Sequence, residues 1–158
     1  MRIAFAGRIG SGKTTAVNYL LKKYEDSLEI KFARKLYEIC GVVQNFFNYE
    51  IEKDRLLLTS LGMWARSKNE NIFVENEENI ILSNQNKNLF CSDLRFQNEL
   101  SMLKKYGFIV IWIDKKVQKN NHISENSIFL EDCDFVINND TDLNSFFENI
   151  NVILDSLT

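Results

Sequence analysis

The sequence contains no proline and a single histidine, and its three cysteines, Cys40, Cys91 and Cys133, stand far apart and match no metal-ligand spacing. Free, buried thiols in a reducing cytosol are therefore expected, and a cytoplasmic location with them. The missing proline, with abundant asparagine, is read as the codon bias of an AT-rich genome and carries nothing about function. Long apolar runs are also missing. The first, Ile3 to Ala6, is too short for a signal peptide or a membrane span and runs straight into glycine. A net charge of −3 gives no whole-protein pull toward nucleic acid or an anionic membrane, so neither is expected as a partner. No internal repeat, linker or low-complexity tract divides the chain, so residues 1–158 are read as one domain.

Short apolar runs alternate with longer stretches of helical period, which predicts an α/β domain with a parallel sheet. Ile3 to Ala6 and Phe108 to Ile113 are continuously apolar, as strands covered on both faces should be. Glu29 to Ala33, Leu89 to Ser92 and Asp134 to Ile137 are weaker strand candidates. One helical stripe comprises Ala16, Val17, Leu20, Leu21 and Tyr24. Another runs from Leu143 to Leu157, with Thr141 or Asp142 as its cap. A third helix, Glu52 to Arg66, carries Leu57, Leu58, Leu61, Trp64 and Ala65 on a broad apolar face that is expected to be core.

Between the first strand and the first helix stands Gly7-Arg8-Ile9-Gly10-Ser11-Gly12-Lys13-Thr14, which fits G-x-x-x-x-G-K-[ST]. Strand, loop, helix is the order this phosphate-binding motif requires. Gly7, Gly10 and Gly12 permit backbone angles that a side chain forbids. Successive N–H groups can then form an anion nest at the positive end of the helix dipole. Lys13 is expected on the β- and γ-phosphates of a nucleoside triphosphate, and the Thr14 hydroxyl on Mg²⁺.

Two further groupings bear on chemistry. Asp93 closes the strand candidate ending at Ser92, where such proteins place a Mg²⁺-organising carboxylate. Capping the helix that starts near Phe96 is the lesser alternative, and the two roles are compatible. Arg95, two residues on, suits bidentate phosphate contact. In the third helix, Arg55, Thr59, Gly62 and Arg66 fall along one face, with the arginines about 16 Å apart along the axis. Either a shallow groove with a cation at each end lies there, or these are two ordinary surface arginines. Trp64 reads as core before base-stacking. The polar segment with Lys115, Lys116, Lys119, His122, Ser124 and Glu125 is either a lid over phosphates or a solvated loop.

Five blocks in order resemble the phage-type deoxynucleoside monophosphate kinases of the P-loop kinase superfamily. They are Gly7 to Thr15; Phe32-Ala33 with Leu36; Arg55, Gly62 and Arg66; Asp93-Leu94-Arg95-Phe96-Gln97-Asn98-Glu99; and His122-Ile123-Ser124-Glu125. The resemblance implies a three-layer P-loop fold around a mostly parallel five-stranded sheet. It implies a helical acceptor-binding region at about 34–86 and a lid at about 114–128. The implied activity is transfer of the γ-phosphate of ATP, with Mg²⁺, to a deoxynucleoside 5′-monophosphate. ATP would be held by Gly7, Arg8, Gly10, Ser11, Gly12, Lys13, Thr14 and Thr15, with the turn at Asn139 reading the adenine edge through backbone groups. Thr14 and Asp93 would serve the metal, and Lys13, Asp93 and Arg95 the transfer itself. Arg34, Arg55, Trp64, Arg66, Arg95, Glu99, His122 and Glu125 would contact the acceptor. A homodimer fits the resemblance as well.

Two features depart from the family. Arg34 and Lys35 follow the Phe32-Ala33 block where an acid is usual, and the lid segment carries lysines and no arginine. Another small-molecule P-loop kinase, of the dephospho-coenzyme A or phosphomevalonate type, and a catalytically weak nucleotide-binding module are the alternatives.

Overall fold

Segments of four to six residues, most of them apolar runs too short for helices, form the strands of the computed structural model, which describes residues 1–116 and 128–157. In chain order the elements are β1 (Arg2–Ala6), α1 (Lys13–Lys23), β2 (Ser27–Ile30), α2 (Arg34–Phe46), α3 (Arg55–Lys68) and α4 (Ile72–Ser83). There follow β3 (Asn88–Cys91), α5 (Gln97–Lys105), β4 (Ile109–Asp114), a short 3-10 turn (Leu130–Asp132), β5 (Phe135–Asn138) and α6 (Leu143–Ser156). The five strands form one sheet in the order β2-β3-β1-β4-β5, and every pairing is parallel. The α/β, P-loop type of architecture is therefore present as expected.

The strand period of two sorts β1 between two cores. Ile3 and Phe5 join Ala16, Val17, Leu20, Ile111, Phe146 and Ile150 on one face. Ala4 and Ala6 join Ile30, Phe32, Leu36, Phe73, Ile81 and Leu103 on the other. Helices thus cover both faces, giving three layers. Phe5, Phe90 and Phe146 are fully buried, and each such ring contributes roughly 1.5–3 kcal/mol of apolar burial. Asp142 caps α6 by accepting hydrogen bonds from Asn144 N and Ser145 N, one of the two caps expected. Cys40 and Cys91 are buried free thiols, whereas Cys133 is half-buried. Among the described residues no helix is long and apolar enough to cross a membrane.

Three expectations need correction. The second strand ends at Ile30, because Phe32 and Ala33 leave the sheet and donate their N–H groups to Asp93. The third helix begins at Arg55, since Asp54 accepts a hydrogen bond from Leu57 N and stops the helix there. Its apolar face is core only in part: Leu58, Leu61 and Ala65 are half-buried and pack against the core that holds Leu36 and Phe73, whereas Trp64 is 63% exposed. α3 also leans on α2, where Leu36 approaches Gly62, while Leu56, Met63 and Trp64 stay exposed.

Candidate active site

The loop between β1 and α1 turns on glycines in the left-handed region, with φ of +137° at Gly7 and +110° at Gly12. Space is as restrictive as angle. A Cβ at Gly7 would stand 2.6 Å from the Ile113 carbonyl oxygen, and one at Gly12 2.6 Å from Asn139 Nδ2. The loop is therefore pressed against the ends of β4 and β5, and no other residue fits at either position. Ser11 N donates to the Arg8 carbonyl over 3.1 Å and closes the turn. Lys13 Nζ donates to the carbonyls of Gly7 (2.6 Å) and Arg8 (2.8 Å), which folds the ammonium back over the loop. Thr14 and Thr15 are exposed in the first turn of α1.

Asn139 has a structural part, through its side chain, that its place in the turn did not announce. Its side chain is 7% exposed, and Nδ2 donates to the Ser11 carbonyl over 2.7 Å. Its own N–H goes to the Asp114 carbonyl, and the N–H of Asp140 goes to Asn138 Oδ1. Those two backbone donors are therefore engaged within the protein rather than offered to an adenine edge. Asn139 is a support beneath the phosphate loop.

β3 lies directly beside β1, with Ala4 opposite Cys91, so the Asp93 block emerges next to the loop. Asp93 does not cap α5. Its two carboxylate oxygens accept hydrogen bonds from Phe32 N (3.2 Å) and Ala33 N (2.9 Å), tying the end of β3 to the start of α2. Burial raises its pKa, while those two N–H groups and Arg95 oppose the rise. Arg95 is exposed and lines one crevice together with Gly7, Ile9, Lys13, Leu94, Trp112 and Ile128. Trp112 and Ile128 were not anticipated. The register Ala6 opposite Trp112 brings that ring to the loop, and such pairing is invisible in the sequence.

Glu99, expected as an acceptor contact, is 2% exposed and faces inward. Its Oε2 accepts from Arg95 N (2.8 Å) and Phe96 N (3.0 Å), and its Oε1 stands 3.6 Å from Arg66 Nη2. Burial raises its pKa to about 7 against the pull of the Arg95 and Phe96 N–H groups and Arg66. The Arg66 guanidinium also lies over the rings of Phe73 (4.7 Å) and Phe96 (4.2 Å). Of the two readings of the Arg55/Arg66 face, an open groove is not what stands at Gly62, where Leu36 and the Arg66 side chain itself cover the glycine. Arg55 is exposed at the far end of α3.

Arg34 donates from Nη2 to the Glu29 carbonyl over 2.7 Å and pairs through Nε with Glu77 at 3.5 Å. Glu77, 2% exposed on α4, also accepts from Lys31 N over 2.9 Å. Burial raises the pKa of Glu77, offset in part by Lys31 N–H and Arg34. Nothing in the run Glu75, Glu77, Glu78 marks it out in advance. His122 and Glu125, with most of the expected lid, lie outside the described residues.

A family model described as deoxynucleotide monophosphate kinase matches residues 62–150, which holds Arg66, the Asp93–Glu99 block and Asn139. The phosphate loop lies outside that match and rests on its own motif and geometry. Among solved structures, the fold is similar to a mutant of the Mycobacterium tuberculosis APS kinase CysC. The two share 11% sequence identity at a TM-score of 0.51, over 98% of this chain and 96% of that one. No curated protein matches the sequence. With a phosphate loop on one side of the crevice and the family's own block on the other, the chain belongs to the deoxynucleotide monophosphate kinase family and is a nucleotide kinase, a phosphotransferase on a P-loop fold.

Proposed function

We propose that the protein transfers the γ-phosphate of ATP to a deoxynucleoside 5′-monophosphate, giving the diphosphate and ADP. One observation carries this reading: Lys13 of the phosphate loop and Arg95 of the family block line the same crevice. Phosphoryl transfer asks a protein mainly for alignment and charge neutralisation. In the proposed mechanism Lys13 exchanges the Gly7 and Arg8 carbonyls for phosphate oxygens. Arg95 holds the acceptor phosphate in line, and Arg66 extends the positive wall behind it. Leu94, Trp112 and Ile128 line the apolar side of the crevice and restrict water there.

The residues at the loop fit Mg²⁺. The Thr14 hydroxyl and the Asp93 carboxylate are hard oxygen donors; Asp93 Oδ2 keeps a lone pair beyond its bond from Ala33 N, whereas Oδ1 accepts from both Phe32 N and the Cys91 thiol. Among the described residues no group of three or more His, Cys, Asp or Glu could hold a metal ion. That suits an ion held largely by nucleotide phosphates and water rather than by an all-protein cage. When bound, Mg²⁺ neutralises charge on the β- and γ-phosphates.

The test is a panel of acceptors with ATP and Mg²⁺, read as ADP release: dGMP, dTMP, dCMP, a modified dCMP, AMP and dephospho-coenzyme A. Turnover with one or more deoxynucleoside monophosphates and little with dephospho-coenzyme A is expected. ATP binding without transfer to any monophosphate, or preference for dephospho-coenzyme A, would overturn the reading.

A further inference from the structure

We infer that Glu99 is a positioning residue for the acceptor side, its single buried carboxylate fixing Arg66 through the side chain and Arg95 through the main chain. The inference rests on the reading of the crevice as a phosphoryl-transfer site. Arg66 stands on α3 and Glu99 on α5, so no local turn brings them together. The carboxylate joins three things. Its Oε1 faces the Arg66 guanidinium at 3.6 Å. Its Oε2 takes the N–H of Arg95, whose exposed side chain lines the crevice with Lys13. The same oxygen takes the N–H of Phe96, whose ring lies 4.2 Å from the Arg66 guanidinium.

Energetics separate this role from a merely structural one. As the third residue of α5, Glu99 also accepts from the N–H of the N-cap residue Phe96, a task that the side-chain oxygen of glutamine performs equally well. A charge is not needed for the cap. Burying a carboxylate beside a guanidinium is expensive, and such pairs are often no more stabilising than apolar replacements. What the charge adds is a defined direction for Arg66, whose guanidinium is already confined by Phe73 and Phe96. Charged and titratable groups around Glu99 are Arg66 from α3, Asp93 and Cys91 from the end of β3, and Arg95 from its own turn.

The experiment compares wild type with Glu99→Gln, which keeps the cap and removes the charge. Expected results are a retained fold and a KM for ATP within about twofold of wild type. The KM for the acceptor should rise on the order of tenfold, the scale of a lost charge-assisted contact. In wild type, kcat/KM for the acceptor should climb as pH rises through about 7, and this limb should be absent in Glu99→Gln. An acceptor KM within twofold of wild type with an unchanged pH profile would overturn the inference. A readout that needs no turnover is the NMR signal of the Arg66 Nη–H groups, the side of the guanidinium that faces Glu99. It should be protected from exchange in wild type and exchange freely in Glu99→Gln; equal protection in both would overturn the inference. If wild type phosphorylates no deoxynucleotide, the functional reading fails by itself, and the Arg66 signal still decides the positioning role.

Discussion

Asn139 Nδ2 donates to the Ser11 carbonyl across 128 residues of sequence, joining the turn after β5 to the middle of the phosphate loop. The contact is buried, and Gly12 is excluded from carrying a side chain by the same amide. Asn139→Ala leaves the Ser11 carbonyl without its partner and opens space under the loop. A loss of about 1–3 kcal/mol follows from an unsatisfied buried acceptor. Thermal unfolding should show a lowered Tm, and the added stabilisation by ATP should shrink, because the loop is no longer held in its binding shape. A variant with unchanged Tm and unchanged ATP response would show that Asn139 does not support the loop.

Lys13 concentrates the transfer chemistry in one side chain. It lies partly exposed and folds over the loop onto two carbonyls, so its removal leaves the cores intact. Lys13→Ala should lower kcat on the order of 10³-fold or more, because positioning and charge stabilisation carry most of phosphoryl transfer. Steady-state ADP release with a matched circular-dichroism spectrum checks this. Near-normal turnover would remove Lys13 from the mechanism.

The phosphate loop was legible because its function depends on local geometry: spacing alone places Gly7, Gly12, Lys13 and Thr14. The first and fourth strands were legible for the same reason, apolar runs of the right length between helical stripes, whereas the second, Ser27-Leu28-Glu29-Ile30, is no apolar run and begins two residues before the expected start at Glu29. The acceptor side was legible as a list of residues but not as a structure. Glu99 and Arg66 belong to helices far apart in sequence, and their pairing depends on how α3 and α5 pack. Glu77 is one acid among three on α4, and only the tertiary fold buries it against Lys31 and Arg34. Helix α3 was legible in part: Leu58, Leu61 and Ala65 pack on the core, but hydrophobic period does not state that Trp64, on the same apolar face, is left uncovered.

Trp64 and Phe73 test that last distinction. Trp64 is 63% exposed on α3, whereas Phe73 is 4% exposed and joins the core under α4. Trp64→Ala should change stability by no more than about 0.5 kcal/mol, as for other exposed positions. Phe73→Ala should cost about 3–5 kcal/mol, the range for a buried ring. Urea unfolding of the two variants separates them. Equal losses would mean that Trp64 is covered in solution, for example by a second copy of the chain.

Glu99 gives stability a pH dependence whose sign is fixed by the direction of its shift. Burial raises its carboxyl from the ordinary 4.5 to about 7 in the folded protein. The folded state then holds this proton more tightly than the unfolded chain does. Stability contributed by the group is full below about 4.5, falls as pH rises from there to about 7, and is level above. Glutamine does not titrate, so Glu99→Gln removes this slope and nothing else of the same sign at that position. The difference in Tm between Glu99→Gln and wild type should therefore grow in favour of the variant from pH 5 to pH 7 and stay constant from pH 7.5 upward. Thermal melts of both proteins at half-unit steps of pH measure it. Parallel curves across that window would mean that Glu99 is already ionised at pH 5, with Arg66 and the two N–H donors outweighing its burial.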